Sequence, residues 1–176
     1  DVNRPDYLHF ALDPVPGAGF EKVLEAALIL RDALVTLEMK PLVKTSGSDG
    51  MHLYVPIVRG PLQKQVWTFA KALARTLATR HPALLTAEYR VAQRPAGRIL
   101  VDYNQNAWGR TLASIYSPRP KPNATVSTPV TWAEVESGVE IGDFSIANVP
   151  ERVRALGDLW KPLLAARGRF PLAGLL

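Results

Sequence analysis

Cysteine is absent from this 176-residue chain. Disulfides and thiolate metal sites are therefore excluded, and the composition suits a reducing cytosol. No apolar run is long enough to cross a bilayer, so no membrane partner is expected. The opening Asp1-Val2-Asn3-Arg4-Pro5-Asp6 lacks a signal-peptide pattern, and it does not start on Met, which suggests a processed chain or a piece of a longer one. Several catalytic signatures are also missing: a Rossmann glycine fingerprint, a Walker A loop, a nucleophile elbow, a Ser-His-Asp order and a zinc-type histidine pair. Internal repeats, low-complexity tracts and linkers are absent too, so residues 1–176 read as a single domain.

What is present is globular. Hydrophobic residues make up 47% and charged residues 21%, enough for one ordinary core. The net charge of +5 and a pI near 9.7 lean toward polyanions such as nucleic acid, nucleotides or anionic lipid.

Along the chain, Tyr7 to Leu12 reads as a strand closed by the turn-rich Asp13-Pro14-Val15-Pro16-Gly17-Ala18-Gly19. With period two, His9, Ala11 and Asp13 share one face, and Leu8, Phe10 and Leu12 share the other. Phe20 to Leu37 is an amphipathic helix, with Val23, Leu24, Ala27, Leu28 and Leu34 at three- and four-residue spacing. Gly60-Pro61 introduces a second helix over about Leu62 to Thr79. Its Lys64, Lys71 and Arg75 form one exposed basic stripe, either a solvated face or a contact for a nucleic-acid backbone. Further expected elements are a short buried strand Ile99 to Tyr103, a strand Thr111 to Tyr116 and a short strand within Val126 to Val130. Then come a helix Thr131 to Ser137 with a capping box from Thr131 to Glu134, and two helical segments over Pro150 to Leu156 and Leu159 to Ala166. This order describes an α/β (α+β) domain, a mostly antiparallel sheet flanked by helices.

Chemistry concentrates in four places. Lys44-Thr45-Ser46-Gly47-Ser48-Asp49-Gly50-Met51-His52 joins two apolar runs. A glycine- and serine-rich loop there can gather backbone N–H groups into a nest for an anion such as phosphate, with Lys44, Ser46 and Ser48 in it and His52 opening the next strand. The same pattern also describes a plain hairpin turn with a surface histidine. Asp13 is either a turn residue or a metal ligand. Asp102 interrupts an apolar run, and a carboxylate inside a strand needs a partner or a metal. Arg119 is held by the proline-stiffened Ser117-Pro118-Arg119-Pro120-Lys121-Pro122. Carboxylates on adjacent strands, with cations to hold a polyphosphate, are the ingredients of metal-dependent phosphoryl transfer, in which two divalent ions ~3.5–4 Å apart stabilise the attacking and leaving oxygens.

Four stretches come in a recognisable order: Tyr7-Leu8-His9-Phe10-Ala11-Leu12-Asp13-Pro14; Lys44 to His52; Arg98-Ile99-Leu100-Val101-Asp102-Tyr103-Asn104-Gln105-Asn106; and Tyr116-Ser117-Pro118-Arg119. Together with Ser127-Thr128-Pro129-Val130-Thr131-Trp132 and Gly157-Asp158-Leu159-Trp160, they resemble the polymerase (primase-like) domain of bacterial DNA ligase D, a member of the archaeo-eukaryotic primase superfamily. The resemblance covers nearly the whole chain. It implies a primase-polymerase fold and addition of nucleotides to DNA ends in double-strand break repair, in a cytoplasmic, nucleoid-associated setting. The implied cofactor is Mg²⁺ or Mn²⁺, and the implied substrate a nucleoside triphosphate. DNA ends, and a ligase domain or other end-joining proteins, are the implied partners. By position, Asp13 and Asp102 would be the catalytic, metal-binding carboxylates, Ser46 and His52 would contact the nucleotide phosphates, and Gln105 and Arg119 would assist at the triphosphate.

Three departures from the family pattern stand out. The family's first motif is Asp-x-Asp, whereas this chain has Ala11-Leu12-Asp13, so one of two metal ions is expected to bind poorly. Asp49 stands where the family usually has lysine, next to the expected triphosphate. The family domain also extends further at its N-terminus. The alternative function is therefore an inactive nucleotide- or DNA-binding accessory module of the same family.

Overall fold

The alternation Leu8-His9-Phe10-Ala11-Leu12 builds the central strand, β1 (Tyr7–Pro14). In the computed structural model, which describes residues 1–176, Leu8, Phe10 and Leu12 are wholly buried in the main core. Burying each such side chain contributes roughly 1.5–3 kcal/mol. The remaining elements are α1 (Phe20–Thr36), β2 (Leu42–Thr45), β3 (Met51–Pro56), α2 (Gln63–Arg80), β4 (Leu85–Thr86), β5 (Ile99–Asp102), β6 (Pro129–Val130), α3 (Trp132–Ser137), α4 (Val149–Leu156) and α5 (Lys161–Leu164). One six-stranded sheet runs β4-β5-β1-β3-β2-β6. Every neighbouring pair is antiparallel except β4 with β5.

Helix ends follow local chemistry. At the end of α1, Glu38 adopts a left-handed φ of 61°. Its N–H then reaches Val35 O, and the Met39 N–H reaches Leu34 O at 3.0 Å, the pairing that satisfies a helix's last carbonyls. Buried Met39 supplies the accompanying apolar contact. At the start of α2, Gln65 Oε1 accepts the Leu62 N–H at 2.8 Å. The Thr131–Glu134 capping box on α3 forms as read: the Glu134 N–H donates to Thr131 Oγ1, and Glu134 Oε2 accepts the Thr131 N–H.

The buried faces of α1 (Val23, Ala27, Leu30, Leu34) and α2 (Val66, Ala70, Ala74, Leu77) join one core cluster with Leu8, Phe10 and Leu12. Both long helices thus cover the same face of the sheet. The opposite face carries His9, His52, Tyr54 and Lys44. It is covered by irregular chain and by Trp160, which sits at the start of α5. Trp160 packs on Tyr54 with ring centroids 4.7 Å apart and donates its Nε1–H to Val43 O.

Three expectations are corrected. Thr111 to Tyr116 is not a strand: it crosses over the sheet face, where Ala113 O accepts from the Lys44 ammonium, and only its last residue, Tyr116, donates its N–H to a neighbouring segment, at Ser127 O. The strand expected within Val126 to Val130 shrinks to Pro129–Val130, because Val126 and Ser127 bond back to Phe144 and Ser117 instead. The last helical segment spans only Lys161–Leu164, since Ala165 is extended.

A candidate nucleotide-transfer site on the open sheet face

Strand register assembles the site. Across the face opposite the helices, Asp102, Ala11, His52 and Lys44 form one row: Ala11 pairs with both Asp102 and His52, and His52 pairs with Lys44. Neighbouring strands lie about 4.8 Å apart, so Ala11 stands between a carboxylate and an imidazole. Asp13 belongs to the next row, opposite Leu100, and shares a face with Ala11. Asp13, Ala11, Ser46, Ser48, Asp49, His52, Gln105 and Arg119 line one cavity of about 650 Å³.

The hairpin loop closes one wall. Gly47 adopts a φ of +68°, and a Cβ there would come within 2.7 Å of Arg119 Cγ and the Ser127 nitrogen. Only glycine fits both demands. At Gly50 a Cβ would lie 2.1 Å from Leu12 O, so a side chain there would push the hairpin off β1. The Ser46 hydroxyl accepts the N–H groups of Ser48 and Gly50, each at 3.0 Å. Two of the N–H groups expected to form an open anion nest are thus already satisfied inside the loop, because a serine hydroxyl in a tight turn bonds locally. The cavity's positive charge comes instead from Arg119, whose Nη1 donates to Ser46 O at 3.1 Å. Arg119 follows Tyr116, a non-glycine residue with a φ of 62° whose N–H donates to Ser127 O, and the Arg119 N–H in turn donates to Thr125 O. Such a left-handed residue turns the chain where a site requires it.

Burial sets the charge states. Asp13 is pushed up to about 6, first by desolvation, then by Asp102 and Asp49, against the pull of Arg94. Asp102 lies at the end of β5 rather than deep within it, and it accepts from the Asn104 N–H at 2.7 Å and Gln105 Nε2 at 3.3 Å. His52 is held neutral, its pKa lowered to about 3 by burial and by the charges of Lys44 and Arg119. Its Nδ1 is buried with no partner, which leaves Nε2 to face the cavity. Behind it, wholly buried His9 packs edge-on against both His52 and Tyr54, with neither ring nitrogen bonded.

The two carboxylates supply hard oxygen donors on adjacent strands, and their mutual repulsion is what a hard divalent cation relieves. Nowhere do three His, Asp or Glu side chains gather as a metal cluster, and the Ala11 methyl stands where a further carboxylate would complete one. The donor set fits one such cation and not a pair.

Of the residues singled out in the sequence, Asp13, Ser46, Ser48, His52, Gln105 and Arg119 converge on the cavity, and Asp102 borders it through Ala11 and Gln105. Lys44 does not line it: its ammonium is wholly buried, bonded to Ala113 O and Ser127 Oγ, and lowered to about 7 by burial and then by Arg119. Lys71 and Arg75 lie on α2, on the helix side of the sheet, and Lys71 packs over the Trp67 ring at 4.6 Å, whereas Lys64, in the first turn of α2, lines a cleft with Arg4 and Trp108. Arg94 was visible only as part of a basic turn; the antiparallel pairing of β1 with β5 brings its charge to bear on Asp13.

A sequence profile described as LigD, primase-polymerase domain, matches residues 1–160. The multifunctional non-homologous end joining protein LigD of Pseudomonas aeruginosa is 32% identical over 175 residues, covering 98% of this chain and 21% of that protein. LigD of Mycobacterium tuberculosis is 34% identical over 156 residues, covering 89% of this chain and 20% of that protein. The chain thus spans about a fifth of the length of the curated relatives it matches. The solved polymerase domain from M. tuberculosis Ligase D in complex with DNA superposes with a TM-score of 0.84 at 33% identity, covering 91% of this chain and 55% of that one. The resemblance carried by the four sequence motifs, and the fold it implied, are borne out.

Proposed function

Because this chain belongs to the LigD primase-polymerase domain family, we propose that it transfers a nucleotide from a nucleoside triphosphate to the 3′ hydroxyl of a DNA end. The observation that carries this reading is the convergence of Asp13, neutral His52 and Arg119 on one open cavity, with Asp102 behind its Ala11 and Gln105 wall. Arg119 and His52 Nε2 hold the phosphates, one by charge and the other by a hydrogen bond. Asp102, fixed by Asn104 and Gln105, orients the attacking hydroxyl and takes up its proton. In-line attack of the 3′ oxygen on the α-phosphorus forms the phosphodiester as the bond to the β-phosphate breaks and pyrophosphate leaves, with no covalent intermediate. A Mg²⁺ or Mn²⁺ ion held by Asp13 and Asp102 would supply charge neutralisation at the reacting phosphate.

The relatives are named for non-homologous end joining, which supports broken DNA ends as the substrate, and a ligase domain or end-joining proteins as partners, beside a bacterial chromosome. No helix is long and apolar enough to cross a membrane. A second reading, an inactive nucleotide- or DNA-binding module, draws on Ala11, which leaves the row with one carboxylate fewer, and on Asp49, which adds a carboxylate to the cavity lining.

Primer extension with Mn²⁺ separates the two. The polymerase reading expects the Ala11→Asp variant to exceed the wild type at least about tenfold, the scale of about 1.4 kcal/mol of transition-state stabilisation. GTP binding measured by calorimetry should weaken on Arg119→Ala and on His52→Ala. Extension by neither protein, with GTP binding intact, selects the accessory module; absence of GTP binding rejects nucleotide transfer and leaves only a DNA-binding module.

A further inference from the structure

Trp108 is 63% exposed, an unusual position for the largest apolar side chain. It sits at the tip of the loop that leaves Asp102, and the base of that loop is clamped. Asn106 Nδ2 donates to His9 O and Tyr103 O, and Asn106 Oδ1 accepts the His9 N–H. From α2, Gln63 Nε2 donates to Asn106 O and Trp67 Nε1–H donates to Asn104 Oδ1. The indole is therefore presented by a fixed support rather than by a loose turn.

Its surroundings are cationic. Trp108 lines a cleft with Lys64, Arg4 and Asp1; a second cleft, sharing Arg4 and Asp1, holds Asp6, Arg59 and Arg110 and meets the main cavity at Gln105, so cations outnumber carboxylates in both clefts. Arg4 and Arg59 are paired with Asp1 and Asp6, whereas Lys64 and Arg110 have no acidic partner. The three clefts form one trail from Trp108 to the residue that bonds Asp102.

An exposed aromatic face beside unpaired cations matches the chemistry of single-stranded nucleic acid, whose bases stack on the ring while its phosphates meet the cations. We infer that Trp108, Lys64 and Arg110 form a platform for the unpaired nucleotides of the strand whose 3′ end enters the cavity. The platform rests on the nucleotide-transfer reading for its role but not for its binding. Charge selects this occupant over an apolar protein partner, because unpaired Lys64 shares the cleft of the indole and unpaired Arg110, two residues on in the chain, lines the next cleft of the trail.

The test is fluorescence anisotropy of a short labelled oligothymidylate with the full chain, at low salt and without nucleotide or metal. Trp108→Ala should weaken binding about tenfold, the effect of losing one stacked base, and Trp108→Phe should keep most of it. Lys64→Gln with Arg110→Gln should flatten the salt dependence, a change that loss of stacking alone does not produce. Unchanged binding by Trp108→Ala, or no binding by the wild type, overturns the platform. GTP calorimetry on the same proteins reads the other hypothesis separately. Oligonucleotide binding without GTP binding sinks nucleotide transfer and leaves the platform standing, and GTP binding without oligonucleotide binding does the reverse.

Discussion

Replacing Asp13 by Asn should change how stability depends on pH, and by an amount the structure sets. The Asp13 carboxyl is raised to about 6, chiefly by burial and next by Asp102. In the unfolded chain it titrates near ~3.9. Two units at about 1.36 kcal/mol each make roughly 3 kcal/mol. The native state holds this proton more tightly, so the contribution to stability is fully present below about pH 4 and lost as pH rises through about 6. Asn carries no such titration. Urea unfolding in chelator should therefore find the two proteins similar at pH 4, and the Asn variant more stable by up to about 3 kcal/mol at pH 7.5. A divalent ion that binds at Asp13 and Asp102 should then restore the wild type, by about 2.7 kcal/mol at a hundredfold excess over its dissociation constant, and leave Asp13→Asn unmoved. Asp102→Asn should remove a smaller part of the pH slope, since it deletes only the second cause. A stability difference that stays flat from pH 4 to 7.5 would refute the assignment of a desolvated, mutually repelling carboxylate pair.

Other substitutions probe the walls of the site. Lys44 is lowered to about 7, so between that value and its unfolded ~10.4 the unfolded chain binds more protons and wild-type stability should rise with pH. Lys44→Met should abolish that rise, which is worth about 4 kcal/mol, in urea titrations at pH 7 and 10. Gly47→Ala should destabilise by at least about 2 kcal/mol in thermal unfolding and weaken GTP binding as well, because the new Cβ meets Arg119 Cγ and the Ser127 nitrogen in a backbone with φ +68°. His9→Leu should stabilise by about 1 kcal/mol, since it removes a wholly buried imidazole whose nitrogens have no partners; a loss of stability would mean that His9 has a bond this geometry lacks.

Local periodicity was legible without any coordinates. The alternation in β1 sorted Leu8, Phe10 and Leu12 from His9, Ala11 and Asp13, and α1, α2 and the Thr131 capping box followed from spacing and cap chemistry. Asp13, His52 and Arg119 were also visible, because a charged or polar residue at a strand end, beside a glycine loop or in a proline-stiffened turn departs from what packing alone selects. Lys44 misled for a physical reason: a lysine beside a glycine loop looks like a phosphate ligand, but period two turns it onto a face that Ala113 and Ser127 then cover. Thr111 to Tyr116 misled in the same way, since its apolar content suits a strand and nothing local says that it crosses the sheet face to meet Lys44.

Sequence by itself determined which residues could share a face, where the two long helices and the Thr131-capped helix begin and end, and which family the chain joins, because these depend on spacings of a few residues. Only the tertiary structure decided that Asp102, Ala11, His52 and Lys44 stand in one row, that both long helices cover the other face, and that Trp108 stands beside Lys64 and Arg4. Strand register and the path of an irregular crossing are set by contacts between residues far apart in the chain. Those contacts form only when the whole core closes, and no short window of sequence contains them.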